Sequence, residues 1–378
     1  MSVNNMLIKS LSFVVISGLG GFLLSLTGIS IGWMIGTLLT ATFLCILSPK
    51  SIRRSIPQKG IPKYWLAIGQ CILGIELGLK MNGSVLSIFQ DNWLTISTML
   101  LLSIFFSLLS GLVLWKFSKL DMLTSFLATA PGGLSAMPSI AEEVGANTGI
   151  VSIVQTMRIF LVILTVPVIL SFGISNPIDT VNDHTASTVV AQLEAKQIIW
   201  TALLVITAWL GYYLGKFLKF PAPWLIGSMV SVAIMQSFSS IVIGYNLVFW
   251  WPSEFIVISQ ILIGASIGSR IHKSMFQGLK KTLFISFSST VFLIFSMFLC
   301  AYFVSTLTEL PLITTALAFA PGGVAEMTTT SIVLGGDSTF VVAVQVLRII
   351  AVCMILPPFF RFLNHWEMKK DTHSHQSA

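Results

Sequence analysis

Two arginines lie deep inside apolar runs of this chain, each three residues after a glutamine: Gln155 and Arg158 in "VQTMRI", Gln345 and Arg348 in "VQVLRI". A spacing of three puts both partners on one helix face. An arginine near the centre of a membrane span costs at least ~2.5 kcal/mol, so it has to face protein or water. Two kinds of chemistry suit it. Its planar fork can hold an anionic ligand, or it can pin the carbonyls and carboxylates of neighbouring unwound backbone. Glu326, in "GVAEM", is the obvious acidic partner for an arginine, and Ala136 stands at the corresponding place in an earlier, similar stretch. Glu76, in "GIELG", is a further carboxylate in an apolar segment and could carry a proton or a cation. Lys80, four residues on, offers it a snorkelling ion pair instead.

The unwound backbone is legible too. "APGGLSAM" carries Pro131, Gly132 and Gly133, and "APGGVAEM" carries Pro321, Gly322 and Gly323. Proline has no N–H and glycine favours turns, so a continuous helix through either stretch is not expected. A helix opening after the break would present an anion-attracting N-terminus. Hydroxyls follow: Ser135 and Ser139 in one stretch, Thr328, Thr329 and Thr330 in the other. Such a break is either a ligand site or a tight packing hairpin.

The elements that must position these residues are membrane helices. Of 378 residues, 55% are hydrophobic and 9% charged, with mean hydropathy +0.91; soluble domains carry about 25% charged residues. Runs near the ~20 residues needed to span a bilayer recur, as at 8–26, 94–114 and 283–304. The +7 net charge then reads as an orientation signal rather than a nucleic-acid footprint. Cys45, Cys71, Cys300 and Cys353 sit in apolar segments without C-x-x-C spacing and read as buried small hydrophobes. The N-terminal apolar run lacks a small-residue cleavage site and reads as a retained first span.

The chain repeats itself. "LATAPGGLSAM" (127–137) and "LAFAPGGVAEM" (317–327) agree at seven of eleven positions, and the same offset aligns Gln155 with Gln345, Arg158 with Arg348, Gly145 with Gly335 and Pro167 with Pro357. Upstream, "AIGQCILGIELG" aligns with "VISQILIGASIG", keeping Gly74 with Gly264 and Gly78 with Gly268. The expected organisation is a first repeat over 1–172, a polar extracytoplasmic linker over 173–196, a second repeat over 197–366 and a polar tail over 367–378. Each repeat holds six apolar segments, in the first near 8–26, 31–47, 64–82, 94–116, 122–143 and 147–171. Trp33 and Trp224 open their segments as interfacial anchors. Loop positives alternate out of phase. The first repeat has Lys50, Arg53, Arg54, Lys59 and Lys63 after its second segment and Lys116 and Lys119 after its fourth. The second repeat has Lys216 and Lys219 after its first segment and Arg270, Lys273, Lys280 and Lys281 after its third. Cytoplasmic loops are the Lys/Arg-rich ones, so the repeats are expected to face opposite ways. Opposite orientation needs an odd number of crossings per repeat. The fold expected is all-α and polytopic: two inverted-topology repeats, about ten transmembrane helices and two PGG-broken segments, re-entrant or discontinuous. Both termini are expected on the cytoplasmic side of the cell (inner) membrane.

The duplicated APGG segment followed by Q-x-x-R resembles the AbrB membrane-protein family, whose members carry the same duplicated unit, over nearly the whole chain. "GLSAM" departs from the pattern by lacking the carboxylate that "GVAEM" keeps. The labels attached to that family imply regulation of gene expression or ammonia monooxygenase activity. An oxygenase metal site needs clustered His and carboxylate ligands, whereas His184, His272, His365, His373 and His375 lie in loops, segment ends or the tail. Direct transcriptional control needs a basic DNA-reading module, and no extramembrane segment is long enough to be one. Inverted repeats with interrupted helices are a recurring plan for secondary transporters. The expectation is therefore a transporter-like protein, not an enzyme, moving a small solute, an anion being one candidate, through a site between the inverted repeats, with regulation indirect. A membrane sensor that binds without transport is the alternative. The expected partners are a small-molecule or ion ligand and the lipid bilayer, with no direct nucleic acid, no cofactor and no metal; a homo-oligomer is compatible with this reading.

Overall fold

The computed structural model describes residues 3–28, 31–47, 60–80, 84–132, 136–173, 195–218, 220, 222–243, 249–271, 279–308, 310–352 and 354–355. All regular structure among them is helical: α1 Val3–Ser25, α2 Gly32–Leu47, α3 Lys63–Lys80, α4 Ser84–Phe117, α5 Met122–Thr129, α6 Ala136–Glu143, α7 Thr148–Gly173, α8 Ala195–Phe217, α9 Pro223–Ile243, α10 Glu254–Gly268, α11 Lys280–Thr308, α12 Leu312–Phe319, α13 Val324–Val333 and α14 Ser338–Val352. Five stretches are long and apolar enough to cross a membrane: Met6–Ser25, Trp93–Phe117, Thr148–Ser171, Gln197–Phe217 and Lys280–Thr308. Apolar residues of α1, α4, α8 and α11 are exposed, among them Leu23, Leu101, Ile199 and Phe284. Apolar surface of that extent is unfavourable in water and suits lipid. This is a helical membrane protein.

Contacts divide the chain into two compact units. Unit 1 is Met1–Asp91, Ile163–His272 and Ala325–Phe340; unit 2 is Asn92–Val162, Lys273–Val324 and Val341–Ala378. Each draws on both halves of the sequence, so compact units and sequence repeats follow different boundaries. In unit 1, α3 packs on α9 and α10 packs on α2. Both contacts depend on glycine. A Cβ on Gly74 would stand 2.6 Å from the Leu225 carbonyl oxygen, and one on Gly264 would stand 2.7 Å from that of Met34. Small residues let membrane helices approach until their backbones touch. The aligned glycines thus hold matching contacts, α3 on α9 and α10 on α2.

Unit 2 holds the first broken segment and, of the second, α12 with the break that follows it. Its core joins Leu114 of α4, Phe126 and Leu127 of α5, Met137 and Ala141 of α6, Val151 and Val154 of α7 and Val352 of α14. The Ser110 and Ser289 hydroxyls share a hydrogen bond that ties α4 to α11. α5, α6 and α12 have eight residues each, about 12 Å at 1.5 Å per residue, far short of a ~30 Å hydrocarbon core.

Candidate functional site

Proline decides where α5 and α12 stop. A residue preceding proline is driven out of the helical region, and Ala130 (ψ 136°) and Ala320 (ψ 132°) are extended. The last carbonyls of each helix therefore have no intrahelical donor. Side chains from α7 and α14 supply them. Gln155 Nε2 donates to the carbonyls of Leu127 (3.0 Å) and Ala130 (2.8 Å). Arg158 Nη1 donates to Thr129 (2.6 Å) and Ala130 (3.2 Å), and its Nη2 donates to Gln155 Oε1 at 2.7 Å. The Ser107 hydroxyl adds a bond to the Thr129 carbonyl. The second break is held the same way. Gln345 Nε2 donates to Leu317 (2.9 Å) and Ala320 (3.1 Å), and Arg348 Nη1 to Phe319 (3.5 Å) and Ala320 (2.9 Å). Arg348 Nη2 reaches the Gly322 carbonyl at 3.2 Å and also donates to Gln345 Oε1.

Of the two roles open to the arginines, the carbonyl clamp is thus present in this structure. It places cations at helix C-termini, where the macrodipole favours them. Gln155 and Gln345 are fully buried, and Arg158 and Arg348 are 3% and 2% exposed. Neither guanidinium has a carboxylate within ion-pair distance among the described residues. The Nε–H of each is buried without a partner among the described residues. The two groups also lie near enough for Arg348 to be repelled by the charge of Arg158.

The remaining sequence candidates fall in several places. Pro131, Gly132 and Pro321 are buried at their breaks, and Gly322 and Gly323 are half-buried. Gly132 sits against Met137, whose Cε would be 2.0 Å from an added Cβ. Gly133 and Ser135 lie outside the described residues, as do 174–194 of the linker, the tail, Pro357 and the loop positives Lys50, Arg53, Arg54, Lys59, Lys219 and Lys273. Glu76 makes the ion pair: Lys80 Nζ donates to its Oε1 at 2.9 Å. Glu326 lies in the first turn of α13, in unit 1, is 7% exposed and accepts a hydrogen bond from its own backbone N–H. The charge it feels is that of Arg270, just past the end of α10. Arg270 was legible only as a loop positive. Its one sequence signal is its place two residues after the "GASIG" glycine helix.

The profile of the AbrB family, described as "Transition state regulatory protein AbrB", matches residues 6–364. The chain belongs to the AbrB family. Among its relatives, "Uncharacterized protein YhjN" of Bacillus subtilis (strain 168) is 52% identical over 366 residues, 96% of this chain and 95% of that protein. "Putative regulator AbrB" of Escherichia coli (strain K12) is 24% identical over 313 residues, 82% and 86% of the two chains. The resemblance first seen in the APGG and Q-x-x-R motifs therefore covers nearly the whole chain.

Proposed function

We propose that this AbrB-family protein is a transporter-like protein of the cell membrane that moves a small solute through a site built on its two broken segments. In this reading the repeats have inverted topology, about ten helices span the bilayer, both termini are cytoplasmic, and the protein is not an enzyme. One observation carries it: two unwound stretches, each ended by a buried Gln–Arg pair that holds its carbonyls. Non-helical backbone at membrane depth is tolerated when it is buried in protein or lines a watery cavity, and fixing it with two intramembrane cations is costly unless the broken geometry is used. Flux of radiolabelled small solutes into liposomes containing the purified protein tests the reading. External labelling of a cysteine placed in the 173–196 linker checks the orientation in the same vesicles. Solute-specific flux above that of protein-free liposomes supports transport; its absence across anionic, cationic and neutral solutes sinks it.

A second reading has the printed names behind it. The family description and the Escherichia coli relative both speak of a regulator. A membrane-embedded sensor would use the same fixed breaks to bind a ligand and report it without moving it. Binding without flux favours that reading.

A further inference from the structure

Unit 2 buries two positive charges, and among the described residues it places no buried carboxylate against them. The acidic side chains of this unit whose exposure is defined, Asp121 and Glu142, are both exposed, and Asp121 is engaged in capping α5. What neutralises the guanidiniums is main chain. The C-terminus of a helix carries roughly half a negative charge, so the ends of α5 and α12 offset about one of the two cations. About one positive charge stays uncompensated in a buried setting, where an unpaired ion is strongly unfavourable. The donor inventory agrees. A guanidinium has five N–H donors; the clamps use Nη1 and Nη2, and Nε on both arginines is left without an acceptor among the described residues. Two buried cations that repel one another, each with an unused donor, are arranged for a shared counter-ion.

We propose that Arg158 and Arg348 together bind a small monovalent oxyanion of the carboxylate class through the guanidinium donors that the carbonyl clamps leave open. This rests on the reading of the broken segments as a solute site and narrows it: the clamp and the anion site are one device, and the solute is a monoanion. A planar carboxylate suits the rigid donors of arginine better than a spherical ion does.

Acetate is the probe. The intact protein in neutral detergent is titrated with sodium acetate replacing sodium chloride at constant ionic strength, and its melting temperature is followed. Acetamide, the neutral isostere, and sulfate, a dianion, run in parallel. A ligand that binds only the folded protein raises the melting temperature saturably. The expected result is a saturable rise with acetate, none with acetamide and a weaker one with sulfate. Arg348→Lys should bind acetate about tenfold or more weakly, because lysine keeps the charge and loses the fork. The proposal is overturned if acetate and acetamide behave alike, or if the acetate dependence survives unchanged in Arg158→Lys/Arg348→Lys. Should the variants not fold, the wild-type contrast of acetate with acetamide still decides. Stabilisation by an anionic phospholipid but not by acetate makes the occupant a headgroup and also overturns it. Flux separates the two readings. Acetate bound but not moved keeps the anion site and ends the transporter; acetamide moved with no acetate bound does the reverse.

Discussion

Arg158 and Arg348 act on atoms that every residue possesses, which is why the sequence offered the carbonyls of the broken backbone as one of two roles but could not say which carbonyls. Backbone carbonyls leave no trace in residue identity. Only the proline after Ala130 and Ala320 marks where carbonyls are freed. Glu76 and Lys80 were easier, because a separation of four on one helix implies contact. Glu326 was harder. Its electrostatic partner, Arg270, stands on a different element with no periodic relation to it. The clamp has a cost that can be measured. Arg158→Gln leaves the Thr129 carbonyl to Ser107 and removes one of two side-chain donors to the Ala130 carbonyl. Among the described residues, Arg348→Gln strips the only side-chain donors to the Phe319 and Gly322 carbonyls. A buried carbonyl without a partner costs ~1–3 kcal/mol. Arg348→Gln should therefore destabilise the protein by about 2 kcal/mol or more, and by more than Arg158→Gln. Denaturation of both variants in the same detergent checks the order; equal losses would mean the clamps are not governed by the carbonyls they hold.

At the scale of elements, the two broken segments close in the same way. α6 ends with Ala146 N–H donating to the Ala141 carbonyl across Gly145 (φ 76°), and α13 ends with Gly336 N–H donating to the Ser331 carbonyl across Gly335 (φ 71°). That is the helix stop that a left-handed glycine permits. The next helix starts on a short polar side chain each time. Asn147 Oδ1 accepts from Ile150 N–H, and Asp337 Oδ1 from Thr339 and Phe340 N–H. The matched glycines Gly145 and Gly335 were legible in the sequence; the Asn and Asp two residues after them were not read as helix starts. The lengths of the intervening helices were not legible, because a helix ends by local backbone geometry rather than where hydropathy falls. Gly335→Ala should cost about 1 kcal/mol, the penalty of a Cβ in the left-handed region, although nothing lies within 4 Å of that Cβ. Gly145→Ala should cost the same. A loss well beyond ~2 kcal/mol in either variant, measured by thermal denaturation, would point to a role other than a cap.

For the whole molecule, sequence similarity and spatial grouping answer different questions. The repeat was visible because matching residues recur at a fixed offset. The compact units were not, since nothing in a one-dimensional pattern says which repeat a helix packs against. Gly74 and Gly264 were recognised as a matched pair, yet their contacts lie on α9 and α2, in the opposite halves of the chain.

The exchange of α3 onto α9 and α10 onto α2 has a consequence for how the protein is made. When the ribosome has released the first half, the glycine face of α3 has no surface to close on until α9 is synthesised. The nascent first half must wait in the membrane, its close-packing faces filled by lipid or held by an insertion chaperone. Fragments 1–172 and 173–378 expressed separately should each be degraded, whereas co-expression should restore both and let them co-purify. Stable accumulation of either fragment alone would mean that the exchanged glycine contacts do not govern assembly.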